Sequence, residues 1–168
     1  YGLRDTGGGI GVADPFQFVL AALGSLTFWQ PSLIVVIIWL IALPLAATGA
    51  WFIAARFTRR PWLRAFFALA WACSPTLLGA LADGRLPAVL VHITLPWFAF
   101  AFFAARYRWA ASAVASLLGV VIAASAPSLI PALILLWLLM VTTSGTGWLR
   151  QTFVPIPAAA MFLPLLVT

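Results

Sequence analysis

Apolar positions in this chain fall in long unbroken runs, not at the spacing of an amphipathic helix or strand. Ser32 to Ala55 contains no charged residue, and about 20 apolar residues carry an α-helix across the hydrocarbon core of a bilayer. Comparable runs cover Phe66–Ala82, Ala88–Ala105, Trp109–Ala126 and Leu129–Thr143, and another runs from Phe153 to the end at Thr168. The pattern predicts an all-α fold, a polytopic transmembrane helix bundle of five complete spans and a truncated sixth. Phe16–Trp29 is too short to cross and predicts a re-entrant or interfacial helix. Two regions follow: an outer-face loop with its short helix over 1–30, and the bundle over 31–168.

Polar residues and prolines mark the breaks. Residues 1–14, with Arg4, Asp5 and five glycines, read as a loop. Asp14-Pro15 reads as an N-cap followed by proline at the first helical position. Asp83-Gly84-Arg85-Leu86-Pro87 predicts a tight turn, and Pro127–Pro131 a second one, with Ser128 as the N-cap of the next helix. Pro44 and Pro75 are expected to break helices at mid-membrane depth, where such breaks line cavities as often as they serve packing alone. Ser112, Ser116, Gly119 and Ala123 form a small-residue stripe, which lets another helix approach closely.

Composition strengthens the membrane reading. The chain is 65% hydrophobic and 7% charged, whereas soluble domains are about one quarter charged. Its nine cationic residues are all arginine. They gather in short loops between apolar runs, which is the positive-inside pattern and not a nucleic-acid surface. Counting them places loops 56–64, 106–109 and 145–152 in the cytoplasm and loops 83–87 and 127–131, with the N-terminal loop, outside. The one cysteine, Cys73, excludes an internal disulfide or a cysteine-based metal site and reads as a packing residue. Tyr1 lacks a preceding signal segment and Thr168 lies inside an apolar run, which predicts a fragment of a longer protein.

Few residues offer chemistry. Gly7-Gly8-Gly9-Ile10-Gly11 does not complete a dinucleotide fingerprint, and neither a Walker A sequence nor a paired-aspartate metal motif occurs; no metal or cofactor is expected. His92 lies about five residues into the third span. Pro96, four residues on, cannot donate to the His92 carbonyl, which leaves a backbone acceptor and predicts a kink. His92 is then either part of a polar site open to the outer face or a histidine bonded to a neighbouring helix. Asp83 and Arg85 are either a carboxylate and a guanidinium for handling hydroxyl and phosphate, or an exposed local ion pair worth little. Asp14 offers a general base or simply a helix cap.

The residues Ala13-Asp14-Pro15-Phe16, Leu23-Gly24-Ser25-Leu26-Thr27-Phe28-Trp29, Trp71-Ala72-Cys73-Ser74-Pro75, Ala82-Asp83-Gly84-Arg85 and Leu95-Pro96-Trp97 resemble the membrane region of large actinobacterial family 2 glycosyltransferases. Ser74-Pro75, Arg85 and Pro96-Trp97 also match, in order, the more distant membrane arabinofuranosyltransferases of the C-type fold. The second resemblance implies transfer from a polyprenyl-phosphate sugar to a glycan acceptor at the outer face, with an acidic residue of an early outer loop as base; Asp14 is the matching position and Asp5 the next. Together they imply a cell-envelope glycosyltransferase. Asp14 and Asp83 are the catalytic candidates, and Arg85, His92 and Arg4 the substrate-binding ones. Its partners would be membrane lipid and further domains of the same protein. The rival readings are a non-catalytic anchor or polymer conduit, which needs no irreplaceable carboxylate, and part of a transporter, which needs an inverted repeat that the sequence does not display.

Overall fold

The computed structural model describes residues 3–5, 10–12, 15–25, 30, 32–143 and 148–160. The described chain is helical apart from one short hairpin. Within the N-terminal segment expected to be loop, β1 (Leu3–Asp5) pairs antiparallel with β2 (Ile10–Val12) in the register Leu3↔Val12, Arg4↔Gly11, Asp5↔Ile10. The β-branched Ile10 and Val12 suit a strand, a local preference that the glycine-rich composition hid. Helix α1 (Pro15–Ser25) starts at the expected proline and, at about 16 Å, is too short to cross a bilayer. Asp14 lies outside the described residues.

Helices α2 (Leu33–Ala54) and α5 (Leu86–Ala105) match two predicted spans. The second span is made of two pieces, α3 (Pro61–Ala72) and α4 (Pro75–Ala82), with Ser74 extended at φ −63°, ψ 141° between them. Proline disfavours the helical conformation in the residue before it, so Pro75 ends α3 and begins α4, and the Ser74 hydroxyl accepts from the Leu77 N–H as N-cap. Pro44 does not break its helix: α2 runs through it, as α5 runs through Pro96.

The fourth and fifth predicted spans are not independent. Helix α6 (Trp109–Ser125) and α7 (Ile130–Thr143) are joined by a 3₁₀ turn over Pro127–Leu129 and bend by 119°. Ala126, ahead of Pro127, sits at φ −144°, ψ 81°, again the conformation that proline imposes on its predecessor. Ser128 lies inside that turn and is not a helix cap. The two helices reach about 25 and 21 Å, short of the roughly 30 Å core. Three described helical units are therefore long and apolar enough to cross a membrane, or four if the bent pair counts as one span, in place of the five expected. Past α7, the short α8 (Trp148–Thr152) replaces part of the expected loop, and helix resumes only over 156–160; the remainder of the predicted sixth span lies outside the described residues.

Helix α5 is the centre of the bundle, packed against α2, α4, α6 and α8. The α5–α6 seam uses the predicted small-residue stripe: Ser112, Ser116, Gly119 and Ala123 are all buried, and a side chain at Gly119 would meet the Phe98 ring. Helix α2 shows the same economy. It buries Ile38, Ala42, Ala46, Gly49 and Ala50 and exposes Val36, Leu40 (76%) and Phe52. Small residues inside and large apolar residues outside suit a helix whose solvent is lipid.

The two ends of the bundle differ. Arg56 lies over the Phe100 ring, 5.1 Å from its centre, near the end of α5. Arg150 donates from Nη1 to the carbonyls of Tyr107 and Arg106 at 2.7 and 3.3 Å, and the Ser112 hydroxyl donates to the Arg150 carbonyl at 2.6 Å. The loops expected to share a side thus share an end, with seven of the nine arginines (56, 59, 60, 64, 106, 108 and 150). The α6–α7 unit starts and finishes at this end. The opposite end holds the 83–87 turn, the α6–α7 bend and α1, whose Val19 joins a core with Ile38, Leu77, Val89 and Ala124.

Candidate functional site at the Asp83–Arg85 end

Two of the candidate substrate-binding residues meet at one cleft. Arg85, Pro87, Ala88, Val91, His92 and Leu95 from the start of α5 face Ser125, Ala126, Ser128 and Leu129 from the α6–α7 bend across a cavity of about 510 Å³. The turn that carries Arg85 is built by the end of α4. The Arg85 N–H reaches the Ala80 carbonyl at 2.9 Å and the Gly84 N–H reaches that of Leu81 at 3.3 Å. This is the paired closure in which a left-handed residue follows the helix. Gly84 supplies it at φ 68°. The closure places Asp83 and Arg85 side by side, and Arg85 Nη2 lies 2.8 Å from Asp83 Oδ2, with both side chains more than half exposed (63% and 59%). An ion pair so exposed contributes little stability. Its effect is to hold the guanidinium at the cleft mouth.

His92 is bound into the α3–α4 break. Pro75 has no N–H for the Trp71 carbonyl, and Pro96 has none for the His92 carbonyl. Each residue serves the other. His92 Nε2 lies 3.0 Å from the Trp71 carbonyl, and Trp71 Nε1 donates to the His92 carbonyl at 3.2 Å. The rings stack between these bonds with centres 4.4 Å apart. A carbonyl only accepts, so the proton sits on Nε2; the same nitrogen is 3.2 Å from the Ser74 hydroxyl, and Nδ1 faces Thr76 Oγ1 at 3.5 Å. The backbone acceptor expected from Pro96 is present and is occupied, which matches the second of the two readings of His92. Its residue still forms part of the cleft wall, but its ring nitrogens are committed to the break.

Asp83 pairs with Arg85 and does not line the cleft. Arg4 lies on β1, where only the backbone is described, and Asp14 lies outside the described residues. Sequence reasoning passed over Trp71, Thr76 and Ser125. The signal for Trp71 was available: the four-residue offset that pairs Pro96 with His92 also pairs Pro75 with Trp71.

No protein-family model, curated protein or solved structure matches the chain. The fold and the cleft define its class alone: a bundle of apolar helices, long enough in three or four places to cross a membrane, with a polar-lipped cavity at the arginine-poor end.

Proposed function

We propose that the chain is the membrane region of a cell-envelope glycosyltransferase, and that the cleft between Arg85 and the α6–α7 bend receives the phosphate of a lipid-linked sugar at the outer face. The observation that carries this reading is the cleft: a guanidinium at its mouth, the serines 125 and 128 on its far side, and apolar Val91 and Leu95 in its wall. A polyprenyl-phosphate sugar has the same order of chemistry, an anion and hydroxyls at one end and a hydrocarbon chain at the other. A guanidinium grips phosphate in two places, which an ammonium does not. Asp83, or Asp14 ahead of α1, activates the acceptor hydroxyl; a base must come within about 3 Å of it. The arginine-rich end faces the cytoplasm by the positive-inside rule.

The test is sugar transfer from a polyprenyl-phosphate donor by the membrane-inserted protein. Arg85→Lys is expected to lower turnover about tenfold, the cost of losing one two-point phosphate contact. Asp14→Asn or Asp83→Asn, whichever removes the base, is expected to lower it roughly 100-fold or more. If all three variants transfer sugar normally, a second reading takes over, that of a non-catalytic anchor or conduit for a polymer. The bonding of His92 favours that reading, because its ring nitrogens are used in joining helices.

A further inference from the structure

The arginine-rich end carries a groove that the proposed transfer reaction does not use. It has a volume of about 530 Å³ and lies between the last turns of α5 and the first half of α6. Arg56 and Arg108 stand at its mouth beside Tyr107, and all three are exposed. Below them the wall is apolar: Trp97 and Phe100 from α5, Val114 and Leu118 from α6. Arg56 lies over the Phe100 ring, which holds its guanidinium above that wall.

Charge decides what fits. The chain has three carboxylate side chains, at 5, 14 and 83, and the one ion pair among the described residues, Asp83–Arg85, is at the other end of the bundle. Among the described residues no carboxylate lines the groove, so its mouth has room for an anion from outside. The shape of the wall says what else that anion carries. From Arg108 to Leu118 the helix advances about 15 Å, much of a bilayer leaflet. A ligand that fills the groove has a phosphate at one end and a long hydrocarbon tail at the other. Basic pockets between membrane helices bind anionic lipid headgroups on these grounds.

We propose that this groove is a binding site for an anionic phospholipid of the adjacent leaflet, its phosphate between Arg56 and Arg108 and one acyl chain laid along the α5–α6 wall. The site is independent of the cleft at Arg85.

The test is native mass spectrometry of the full chain in neutral detergent, titrated with dioleoyl-phosphatidylglycerol or with dioleoyl-phosphatidylcholine. The unaltered chain is expected to retain one phosphatidylglycerol in preference to phosphatidylcholine. The double variant Arg56→Gln, Arg108→Gln is expected to bind phosphatidylglycerol roughly thirtyfold more weakly, from about one power of five for each arginine lost near a lipid surface. The charge-matched control Arg59→Gln, Arg60→Gln, outside the groove, is expected to bind normally. Ala111→Phe, which fills the groove and keeps every charge, is expected to abolish retention and separates a lost site from a lost fold. Equal weakening in the groove variant and the control, no preference over phosphatidylcholine, or full retention by Ala111→Phe would overturn the proposal. So would displacement of the lipid by millimolar glycerol phosphate, since a site that ignores the acyl chain is not this one.

Discussion

Two prolines and two aromatic side chains account for the best-defined polar contact in the structure. Pro75 and Pro96 each deprive a carbonyl of its i+4 donor; His92 Nε2 bonds the Trp71 carbonyl, which also accepts from the Ser74 N–H at 3.3 Å, and Trp71 Nε1 bonds the His92 carbonyl. A carbonyl short of donors in an apolar setting costs free energy, and the two cross-helix bonds tie the four residues together. His92→Phe keeps the ring and removes the bond; it is expected to destabilise the bundle by about 1–3 kcal/mol, measured by unfolding in detergent. In a double-mutant cycle with Trp71→Phe the two losses should couple by more than about 0.5 kcal/mol; strict additivity would mean that the bonds form independently. His92 was legible in the sequence as a polar residue with a task, because Pro96 stands four residues later. Its partner was not, because which helix faces it depends on packing. Asp83 and Arg85 were legible as a turn, and Gly84 shows why: only a glycine takes φ 68° there without strain.

At the scale of elements, run length predicted the bounds of α2, α5, α6 and α7 to within two residues, and failed in taking α6 and α7 for two complete spans. Runs of apolar residues report how much of the chain avoids water and say nothing of the angle at which two runs meet. Pro127 carried that information, since it forces Ala126 out of the helical region, yet Pro44 carried the same signal and α2 stays whole. A proline ends a helix where the freed groups find other partners or where the chain must turn, and only tertiary structure decides between them. Close packing follows the same logic at Gly49. A side chain there would come within 2.7 Å of Trp97 Nε1 and 3.0 Å of Pro96, while that indole donates to the Leu45 carbonyl at 3.1 Å. Gly49→Leu is expected to force α2 from α5 at a cost of about 1–3 kcal/mol, as overpacking does. A thermal midpoint in detergent equal to that of the unaltered chain would show that the two helices do not meet through this glycine.

Over the whole molecule, the charge pattern was the most informative part of the sequence. Alternating arginine-rich and arginine-poor loops predicted which loops share a side, and the bundle brings loops 56–64 and 106–109 and the α8 region to one end through Arg56, Ser112 and Arg150. The shared end survives the lower span count, because a hairpin that bends back leaves its two ends together just as two full spans would. The site at the other end was legible only as separate residues; the cleft between Arg85 and the α6–α7 bend depends on an angle that no local pattern encodes. The proposed arrangement is a bundle that crosses the membrane with its arginines on the cytoplasmic side and with α6–α7 turning back. Single cysteines in a Cys73→Ala background, treated in intact cells with an impermeant maleimide, test this directly. Cysteines at Asp83 and Ser128 are predicted to react, and those at Arg59 and Leu149 to react only after the cells are opened. Labelling at Arg59 from outside would reverse the orientation, and labelling at Leu149 with Arg59 protected would mean that α6–α7 crosses once and does not return.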